Sequence, residues 1–473
     1  MMAFLSPWDL AAICGGYWHL DHVPSTFFKG AKINSLDIDS NELFFALKGA
    51  NKDGHDFVTR LKPPAAAVVE QPVSIALVPQ LIVPSTQDAL QRLAHAFACE
   101  TDAVKIAITG SVGKTGTKEM LAGCLSQFDK THANIGNLNN HLGVPLTLLS
   151  IPRELSYLVT EMGMNHKGEI APLSQMVRPD IAIITKIAES HIGYLKSIEA
   201  VAKEKAKICA GLSPDGCLII PRDDACYPLL KKAAQKANIK HIISFGRHQK
   251  STVQLLSRTV NDTGKLAGSQ IISFAIEDNT YSFTLGMRAE HWAINALSVI
   301  AAGYFIGLDI NQICTALQQQ GELEGRGVAI ELSINSHPIL LIDDAYNASP
   351  SSLKAAIADA ANRPQPNKMF VFSDMLELGE FSDEMHFDLV PEILKAQPSC
   401  VVLIGAAMKQ LKVPLQHIST LHVFDTLDQA KLILPSLVDD ADIILVKGSH
   451  GSGAHLLVQF LKSLSDKEIA NVI

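Results

Sequence analysis

The stretch VKIAITGSVGKT, residues 104–115, decides the fold of this chain. Its first half, VKIAIT, is mostly apolar and β-branched, which is typical of a buried strand. Its second half, GSVGKT, is a glycine-rich loop, and a segment of helical periodicity follows over residues 117–126. A strand, a glycine-rich loop and a helix in this order predict a phosphate-binding loop in an α/β protein.

The residue types in this loop suit a nucleotide. Glycines allow a tight turn that directs backbone N–H groups at phosphate oxygens, and the following helix N-terminus adds positive potential. Lys114 supplies a charge for the β- and γ-phosphates, and the Thr115 hydroxyl can bind Mg²⁺. Ile108 stands where the longer phosphate-loop motif has glycine, so a simple glycine turn with a solvated lysine is the alternative. The residues expected to bind nucleotide here are Gly110, Ser111, Val112, Gly113, Lys114, Thr115 and Gly116.

Outward from the loop, strands and helices alternate along the chain. Strand-like runs are predicted at 155–162 and 180–187, a hairpin or small sheet at 251–285, and a helix at 291–303. Runs at 338–343, 368–374, 400–405, 421–424 and 442–448 alternate with helical segments, which predicts a doubly wound parallel sheet. Before the loop, strands are predicted at 43–49, 65–69 and 75–79, and a helix at 86–100.

Length and composition agree with this organisation. A chain of 473 residues corresponds to about three domains, and we place them at 1–102, 103–325 and 326–473. The net charge of −8 argues against a general nucleic-acid binder. No apolar stretch is long enough to span a membrane, and no basic residue precedes Lys29 as a signal peptide requires. Eight cysteines without a CxxC pair predict reduced thiols and a cytoplasmic location.

Further candidate residues follow the ends of predicted strands, where α/β sheets present ligand groups. Glu161 is a natural Mg²⁺ ligand at such a position, and His191 can bind a metal or a phosphate; a solvated acid and a structural histidine are the alternatives. Lysines 203, 205 and 207 lie on one predicted helix and are most simply a solvated basic face. Arg326 and Asp344 flank a predicted hinge, where they can contact a transferring phosphate and a ribose or form salt bridges.

Five motifs in order resemble the Mur ligase family: TGSVGKTGTKEM from 109, EMGMNHKGEI from 161, ITKIAESHIGYLKSIEAVAKEKAKI from 184, IDDAYNASPSSLKAAI from 342 and SDMLELGEFSDEMH from 373. The resemblance extends to ELFFALKGANKDGHDF at 42–57. It implies a UDP-binding domain, a central ATPase domain and a Rossmann-like C-terminal domain. It also implies that ATP and Mg²⁺ activate a substrate carboxylate as an acyl phosphate, which an amine then attacks.

The resemblance implies a role for each motif residue. Lys114 would hold the β- and γ-phosphates, and Thr115 and Glu161 the first Mg²⁺. His191 would serve the second metal, and Lys205 would be carbamylated by CO₂, which turns its cation into a metal-binding group that resembles a carboxylate. On the nucleotide, Asn295 would approach the adenine, Arg326 the γ-phosphate and Asp344 the ribose. The set expected to take part in catalysis is Lys114, His191, Lys205 and Arg326.

Within the family, DMLELGE and DDAYNASP favour the branch that joins D-alanyl-D-alanine to a UDP-N-acetylmuramoyl-tripeptide, acting as a monomer. Asp374, Glu377 and Glu380 would then hold the dipeptide's ammonium group. Departures from the family pattern occur at 34–36, at Trp292 and at 450–455; the indole would either stack on the base or pack in the core. The alternatives are another Mur-type or folylpolyglutamate-synthetase-like amide ligase, a P-loop NTPase that drives a conformational change, and a degenerate homologue.

Overall fold

Three separate β-sheets organise the chain. The computed structural model describes residues 5–19, 23–24, 27–261, 268–465 and 467–468. A five-stranded, a nine-stranded and a seven-stranded sheet follow one another, and each falls within one predicted domain. The α/β class predicted from the sequence is confirmed, while the domain limits stay a prediction. Across the described residues, no helix is both long and apolar enough to cross a membrane.

The N-terminal sheet has the strand order β1-β5-β4-β3-β2 and is parallel except for the β1–β5 pair. Helix α2 occupies the predicted residues, and its N-cap Ser85 accepts a hydrogen bond from the Asp88 N–H. The elements are α1 (Pro7–Cys14), β1 (Tyr17–Trp18), β2 (Gly30–Lys32), β3 (Glu42–Phe45), a 3₁₀ helix (Gly54–Arg60), β4 (Ala66–Val69), β5 (Gln80–Ile82) and α2 (Thr86–Glu100).

The strand predicted at 75–79 is wrong, because the strand begins only at Gln80. Ile75 and Leu77 are 78% and 73% exposed, whereas Val78 is buried in the core and Ala76 packs against it, so this apolar run reaches the core without forming a strand. The buried Gln80 side chain instead bonds both the N–H and the carbonyl of Val73, at 2.8 and 3.0 Å, and closes the turn before the strand. Local composition alone does not reveal that a buried polar side chain starts the strand.

The central sheet has the order β14-β13-β12-β11-β10-β9-β6-β8-β7. The strands from β7 to β12 are parallel, and β12, β13 and β14 form an antiparallel meander that accounts for the β-structure predicted at 251–285; residues 262–267 of that range lie outside the described residues. The strands are β6 (Val104–Thr109), β7 (Thr131–Ala133), β8 (Tyr157–Glu161), β9 (Ile181–Ile184), β10 (Cys217–Pro221), β11 (His241–Gly246), β12 (Val253–Val260), β13 (Gln270–Ile276) and β14 (Asn279–Leu285).

Helices cover both faces of the central sheet. Helix α3 begins three residues earlier than predicted, because Gly113 at φ +90° serves as its N-cap and lets the chain turn directly from loop to helix. The helices are α3 (Lys114–Leu125), α4 (Gly143–Leu149), α5 (Ile170–Val177), α6 (Ile192–Leu195), α7 (Ile198–Lys205), a 3₁₀ helix (Ala206–Ala210), α8 (Tyr227–Lys236), α9 (Glu290–Ile306) and α10 (Ile310–Gln318).

The C-terminal sheet has the order β19-β18-β17-β20-β16-β15-β21, with β16 to β20 parallel and β15 and β21 antiparallel. All five strands predicted in this region are present. The strands are β15 (Val328–Ile334), β16 (His337–Asp344), β17 (Lys368–Ser373), β18 (Cys400–Ile404), β19 (Thr420–Phe424), β20 (Ile443–Lys447) and β21 (Lys467–Glu468). The helices are α11 (Pro350–Ala361), α12 (Ser382–Phe387), α13 (Val390–Ala396), α14 (Leu427–Leu437) and α15 (Ala454–Ser463), with 3₁₀ turns at Gly379–Phe381, Met408–Lys412, Val438–Asp440 and His450–Ser452.

Candidate active site

The glycine-rich loop joins β6 to α3 and is held against the end of the neighbouring strand β9. The Thr185 hydroxyl donates to the Val112 carbonyl at 2.7 Å, and the Ser111 hydroxyl donates to the Ala188 carbonyl at 2.9 Å. Gly110 has φ +157°, and a Cβ there would lie 1.9 Å from the Thr185 hydroxyl oxygen. Only glycine fits at this position, so the loop keeps one shape.

Lys114 lies across this loop. Its Nζ donates to the Gly110 carbonyl at 2.9 Å and to the Ser111 carbonyl at 3.4 Å. Burial lowers the pKa of Lys114, and among nearby charges Glu161 raises it while Arg326 lowers it. An acid from β8 and an arginine from the start of the next domain are therefore close enough to affect the ionisation of Lys114.

Glu161 ends β8, the strand beside β6, and it is almost fully buried. The Asn139 side chain donates to its Oε1 at 2.7 Å, and its backbone N–H donates to the Asn134 side-chain oxygen at 2.8 Å. Its other carboxylate oxygen, Oε2, is buried without a hydrogen-bond partner in the described structure. A buried carboxylate oxygen left free in this way is suited to a cation.

Lys205 lies at the end of α7 and is fully buried, with no hydrogen-bond partner for Nζ among the described residues. Lys203 is exposed, and Lys207 pairs with Glu204 at 2.7 Å. The interpretation of these lysines as one solvated face is therefore wrong for Lys205. Burial, and then the charge of Lys114, hold the pKa of Lys205 well below its usual value. Carbamylation requires a neutral amine, so this environment fits the modification.

His191 of the central domain contacts Glu377 of the C-terminal domain, with 2.8 Å between Nδ1 and Oε2. Both residues have positive φ, +62° and +66°, an uncommon conformation for non-glycine residues. Burial lowers the pKa of His191 despite the carboxylate, whereas the hydrogen bond from His191 lowers the pKa of Glu377. Nδ1 of the imidazole and the carboxylate therefore face each other across the domain boundary at ion-pair distance.

Helix α6 carries this contact further between the two domains. Ile192 is 5% exposed and packs in the hydrophobic core of the C-terminal domain. A Cβ on Gly193 would lie 2.7 Å from the Gly379 nitrogen, so the two backbones are in direct contact. At the rim, Lys196 pairs with Glu380 at 2.6 Å. Helix α6 therefore contacts the C-terminal domain through an apolar side chain, through its backbone and through an ion pair.

The nucleotide side of the loop meets helix α9. Asn295 is buried, its Oδ1 lies 3.0 Å from where a Cβ of Gly113 would stand, and its Nδ2 has no partner in the described structure. Trp292 belongs to the core of the central domain, and a Cβ on Gly116 would lie 2.6 Å from its ring. Of the two roles considered for Trp292, the structure shows core packing.

Arg326 and Asp344 enter from the hinge and the C-terminal sheet. Gly325 and Gly327 flank the arginine at φ +73° and +87°, and its guanidinium lies 4.1 Å above the Tyr346 ring. Asp344 ends β16, and its carboxylate pairs with Lys447 at 2.7 Å. Burial raises the pKa of Asp344, against the opposing effect of Lys447.

The three acids expected to hold the dipeptide all have protein partners. Asp374 accepts from the Met408 N–H at 2.8 Å and so caps a 3₁₀ turn. Glu377 pairs with His191, and Glu380 with Lys196. Because each carboxylate can accept several hydrogen bonds, an ammonium group bound here would share these acids with their protein partners.

The unmodified side chains of the site supply only part of the ligands that a metal ion needs. In the described part of the chain, no three His, Cys, Asp or Glu side chains come together at metal-binding distances. Oε2 of Glu161 and Nζ of Lys205 are among the buried side-chain atoms without a hydrogen-bond partner in the described structure, as are Oε2 of Glu189, Nδ1 of His191 and Nδ2 of Asn295. A carbamate on Lys205 would add oxygens to this group. Thr115, the second residue of α3, is half-buried and directly follows Lys114.

Several residues of this site were not singled out from the sequence. Lys447 pairs with Asp344. Asn134 and Asn139, in the segment that follows β7, form hydrogen bonds with Glu161, and Lys118 donates a hydrogen bond to that segment. In the sequence, these residues are visible only as KEM at 118–120, after the glycine-rich loop, and as the asparagines of NIGNLNN at 134–140.

The fold and the site together define a P-loop protein of three α/β domains whose second and third domains share one site. Residues 108–303 match the Mur ligase middle domain, and residues 330–450 match the Mur ligase glutamate ligase domain. The chain belongs to the Mur ligase family.

Named relatives match along most of the chain. The UDP-N-acetylmuramoyl-tripeptide–D-alanyl-D-alanine ligase of Rickettsia prowazekii is 34% identical over 433 residues, covering 91% of this chain and 94% of that protein. The ligase of the same name from Bacillus subtilis is 35% identical over 366 residues, covering 76% of each. A crystal structure of MurF from Acinetobacter baumannii is 30% identical and superposes with a TM-score of 0.88, covering 97% of this chain and 98% of that one.

Proposed function

We propose that this protein is an ATP-dependent ligase that joins D-alanyl-D-alanine to a UDP-N-acetylmuramoyl-tripeptide in peptidoglycan precursor synthesis. The names of its relatives support the substrates. The observation that carries the chemistry is that His191, just after β9 in the sheet of the phosphate loop, lies 2.8 Å from Glu377 of the C-terminal domain, while Glu161 at the end of β8 in the same sheet has a buried carboxylate oxygen without a partner in the described structure. A phosphoryl donor and an acceptor held by different domains meet at such a site.

In the first step, an oxygen of the tripeptide's terminal carboxylate attacks the γ-phosphorus of ATP, and ADP leaves. The transferring phosphoryl group spreads negative charge over its oxygens, so cations nearby supply most of the stabilisation. We assign this stabilisation to Lys114 of the phosphate loop and to Arg326. The loop's fixed shape orients the phosphates before reaction.

In the second step, the dipeptide's free amine attacks the acyl carbon, and inorganic phosphate leaves as the amide forms. The amine must be deprotonated to attack, and its proton is lost with the collapse of the tetrahedral intermediate. Closure of the C-terminal domain along α6 excludes water, which would otherwise hydrolyse the acyl phosphate.

Mg²⁺, when bound, would neutralise phosphate charge, held by Thr115, Glu161, His191 and the carbamate of Lys205. Nδ1 of His191 faces Glu377, so Nε2 is the nitrogen left for a metal. A carboxylate behind the other ring nitrogen is a common way to orient a metal-binding histidine. Asn295, Arg326 and Asp344 would contact adenine, γ-phosphate and ribose, respectively. A cytoplasmic location and a monomeric state are part of the same proposal.

The test is acceptor choice. Phosphate release and product mass are measured with ATP and the UDP-muramoyl-tripeptide, in its diaminopimelate and lysine forms. Each reaction is run alone and with D-alanyl-D-alanine, D-glutamate or a free diamino acid. Of these amines, we expect only D-alanyl-D-alanine to accelerate turnover and to yield the UDP-muramoyl-pentapeptide. Faster ligation of a single amino acid overturns the branch, and ATP hydrolysis that no amine accelerates overturns the ligase class.

A further inference from the structure

Lys118 lies on α3 one turn after Lys114, and it is fully buried. Its Nζ donates to the Asn134 carbonyl at 2.7 Å and to the Gly136 carbonyl at 3.3 Å, and it pairs with the Glu119 carboxylate at 2.5 Å. Burial of an ammonium group costs free energy unless the group is fully paired, so these contacts fix the position of the Lys118 Nζ. Lys118 therefore ties the segment after β7 to the helix of the phosphate loop.

That segment, residues 134–139, holds Glu161 at two points. Asn134 accepts the Glu161 N–H at 2.8 Å, and its side-chain amide donates to the Leu138 carbonyl at 3.1 Å, which closes the segment on itself. Asn139 donates to Oε1 of Glu161 at 2.7 Å and accepts the Gly163 N–H at 2.8 Å. One carboxylate oxygen is thus held by an amide, and the other is left free and buried.

We propose that Lys118 is a positioning residue for the cation site: through residues 134–139 it fixes the Glu161 carboxylate so that Oε2 alone faces the nucleotide's divalent cation. The proposal rests on the proposed function only in assuming that Glu161 binds that cation. Without the ammonium anchor, the carbonyls of Asn134 and Gly136 lose their donor and the segment shifts. The Glu161 carboxylate is then free to rotate toward the neighbouring lysine charges of the site.

Binding of Mn²⁺, a spectroscopic substitute for Mg²⁺, tests this directly. Mn²⁺ is titrated into the full-length protein with saturating ADP, and free Mn²⁺ is followed by electron paramagnetic resonance. Lys118→Met keeps the side-chain length and removes the charge. We expect it to raise the Mn²⁺ dissociation constant about 10- to 100-fold, as is typical when a group supporting a metal ligand is lost. Lys130→Met, at an exposed lysine that pairs with Glu154, should change it less than about twofold.

Asn139→Leu, which removes only the donor to Oε1, provides the second variant. It should weaken Mn²⁺ binding to a similar extent, and the double variant Lys118→Met/Asn139→Leu should weaken it no further, because both act through one carboxylate. If Lys118→Met does not fold, as judged by its thermal transition, Asn139→Leu decides. A folded Lys118→Met with wild-type Mn²⁺ affinity, unaltered binding by Asn139→Leu, or no ADP-dependent Mn²⁺ binding by the wild type overturns the proposal. Since the readout needs no acceptor, a wrong acceptor assignment leaves this result unaffected.

Discussion

His191 and Glu377 belong to different domains, and their side chains meet at 2.8 Å. The contact lies beside a stretch where the backbones of Gly193 and Gly379 touch and where Ile192 is buried in the neighbouring core. Catalytic candidates from the central domain are therefore coupled to the position of the C-terminal domain. A mutation at this junction is expected to affect catalysis through closure.

Substitution of Gly193 by alanine tests closure. The added Cβ would lie 2.7–2.9 Å from backbone atoms of residues 377–379, which cannot move aside as a side chain would. We expect ligase activity to fall at least about tenfold. We also expect small-angle scattering to show compaction of the wild type with an ATP analogue and UDP substrate, and no such compaction of Gly193→Ala. Gly321→Ala, at a glycine with open space around it, is the matched control. Normal compaction in Gly193→Ala would show that closure does not use this contact.

Lys114→Ala should abolish most of the phosphoryl transfer. Loss of a major charge on the transferring group is expected to lower the rate by roughly 10³-fold or more. The fold should survive, since Lys114 contacts only carbonyls of its own loop. Rates and thermal transitions are compared with those of Lys231→Ala, at an exposed lysine on α8. Near-normal turnover would remove Lys114 from the mechanism.

Lys205→Ala should lower activity by at least about 100-fold, comparable to the loss of one transition-state contact. If the lysine acts as a carbamate, formate or acetate should restore part of the rate by supplying a carboxylate, and removal of CO₂ should inactivate the wild type reversibly. Lys203→Ala changes an exposed lysine of the same helix and should stay active. Full activity of Lys205→Ala, or rescue without carboxylate, would contradict the role.

Activity should rise with pH through the ionisation of the acceptor amine, whose ordinary pKa is about 7.7–8.0. Below that pKa the amine is protonated and cannot attack, so kcat/KM for the dipeptide falls as pH falls. With a dipeptide analogue whose amine is less basic, the rise of kcat/KM should occur at lower pH. If the rise stays at the same pH, the ionising group belongs to the enzyme and not to the dipeptide.

The sequence was sufficient where a segment's role is local. The phosphate loop, helix α2 and the apolar strands of the C-terminal sheet are determined by glycine spacing, an N-cap and runs of buried residues, and they lie where predicted. Seven of the eight cysteines are buried and all are free, as expected for reduced thiols; Cys99 is the exposed one.

The remaining features of the site depend on contacts between residues that are distant in sequence, and these could not be predicted from local patterns. The choice of Lys205 over its neighbours depends on burial by distant segments, and the resemblance identified it where periodicity alone favoured a solvated face. Lys118 looks like an ordinary helix lysine until the segment at 134–139 is placed beside it. The acids at 374–380 seemed free for a ligand because their partners, Met408, His191 and Lys196, are remote in sequence.

The burial of Ile192 between domains makes closure sensitive to temperature. Full burial of such a side chain contributes about 1.5–3 kcal/mol, and this contribution weakens on cooling. The ion pairs at the rim do not compensate, because exposed pairs contribute little. Cold should therefore favour the open form, so that turnover slows on cooling more steeply than the chemical barrier alone requires. In Ile192→Val, this steeper slowing should begin at a higher temperature.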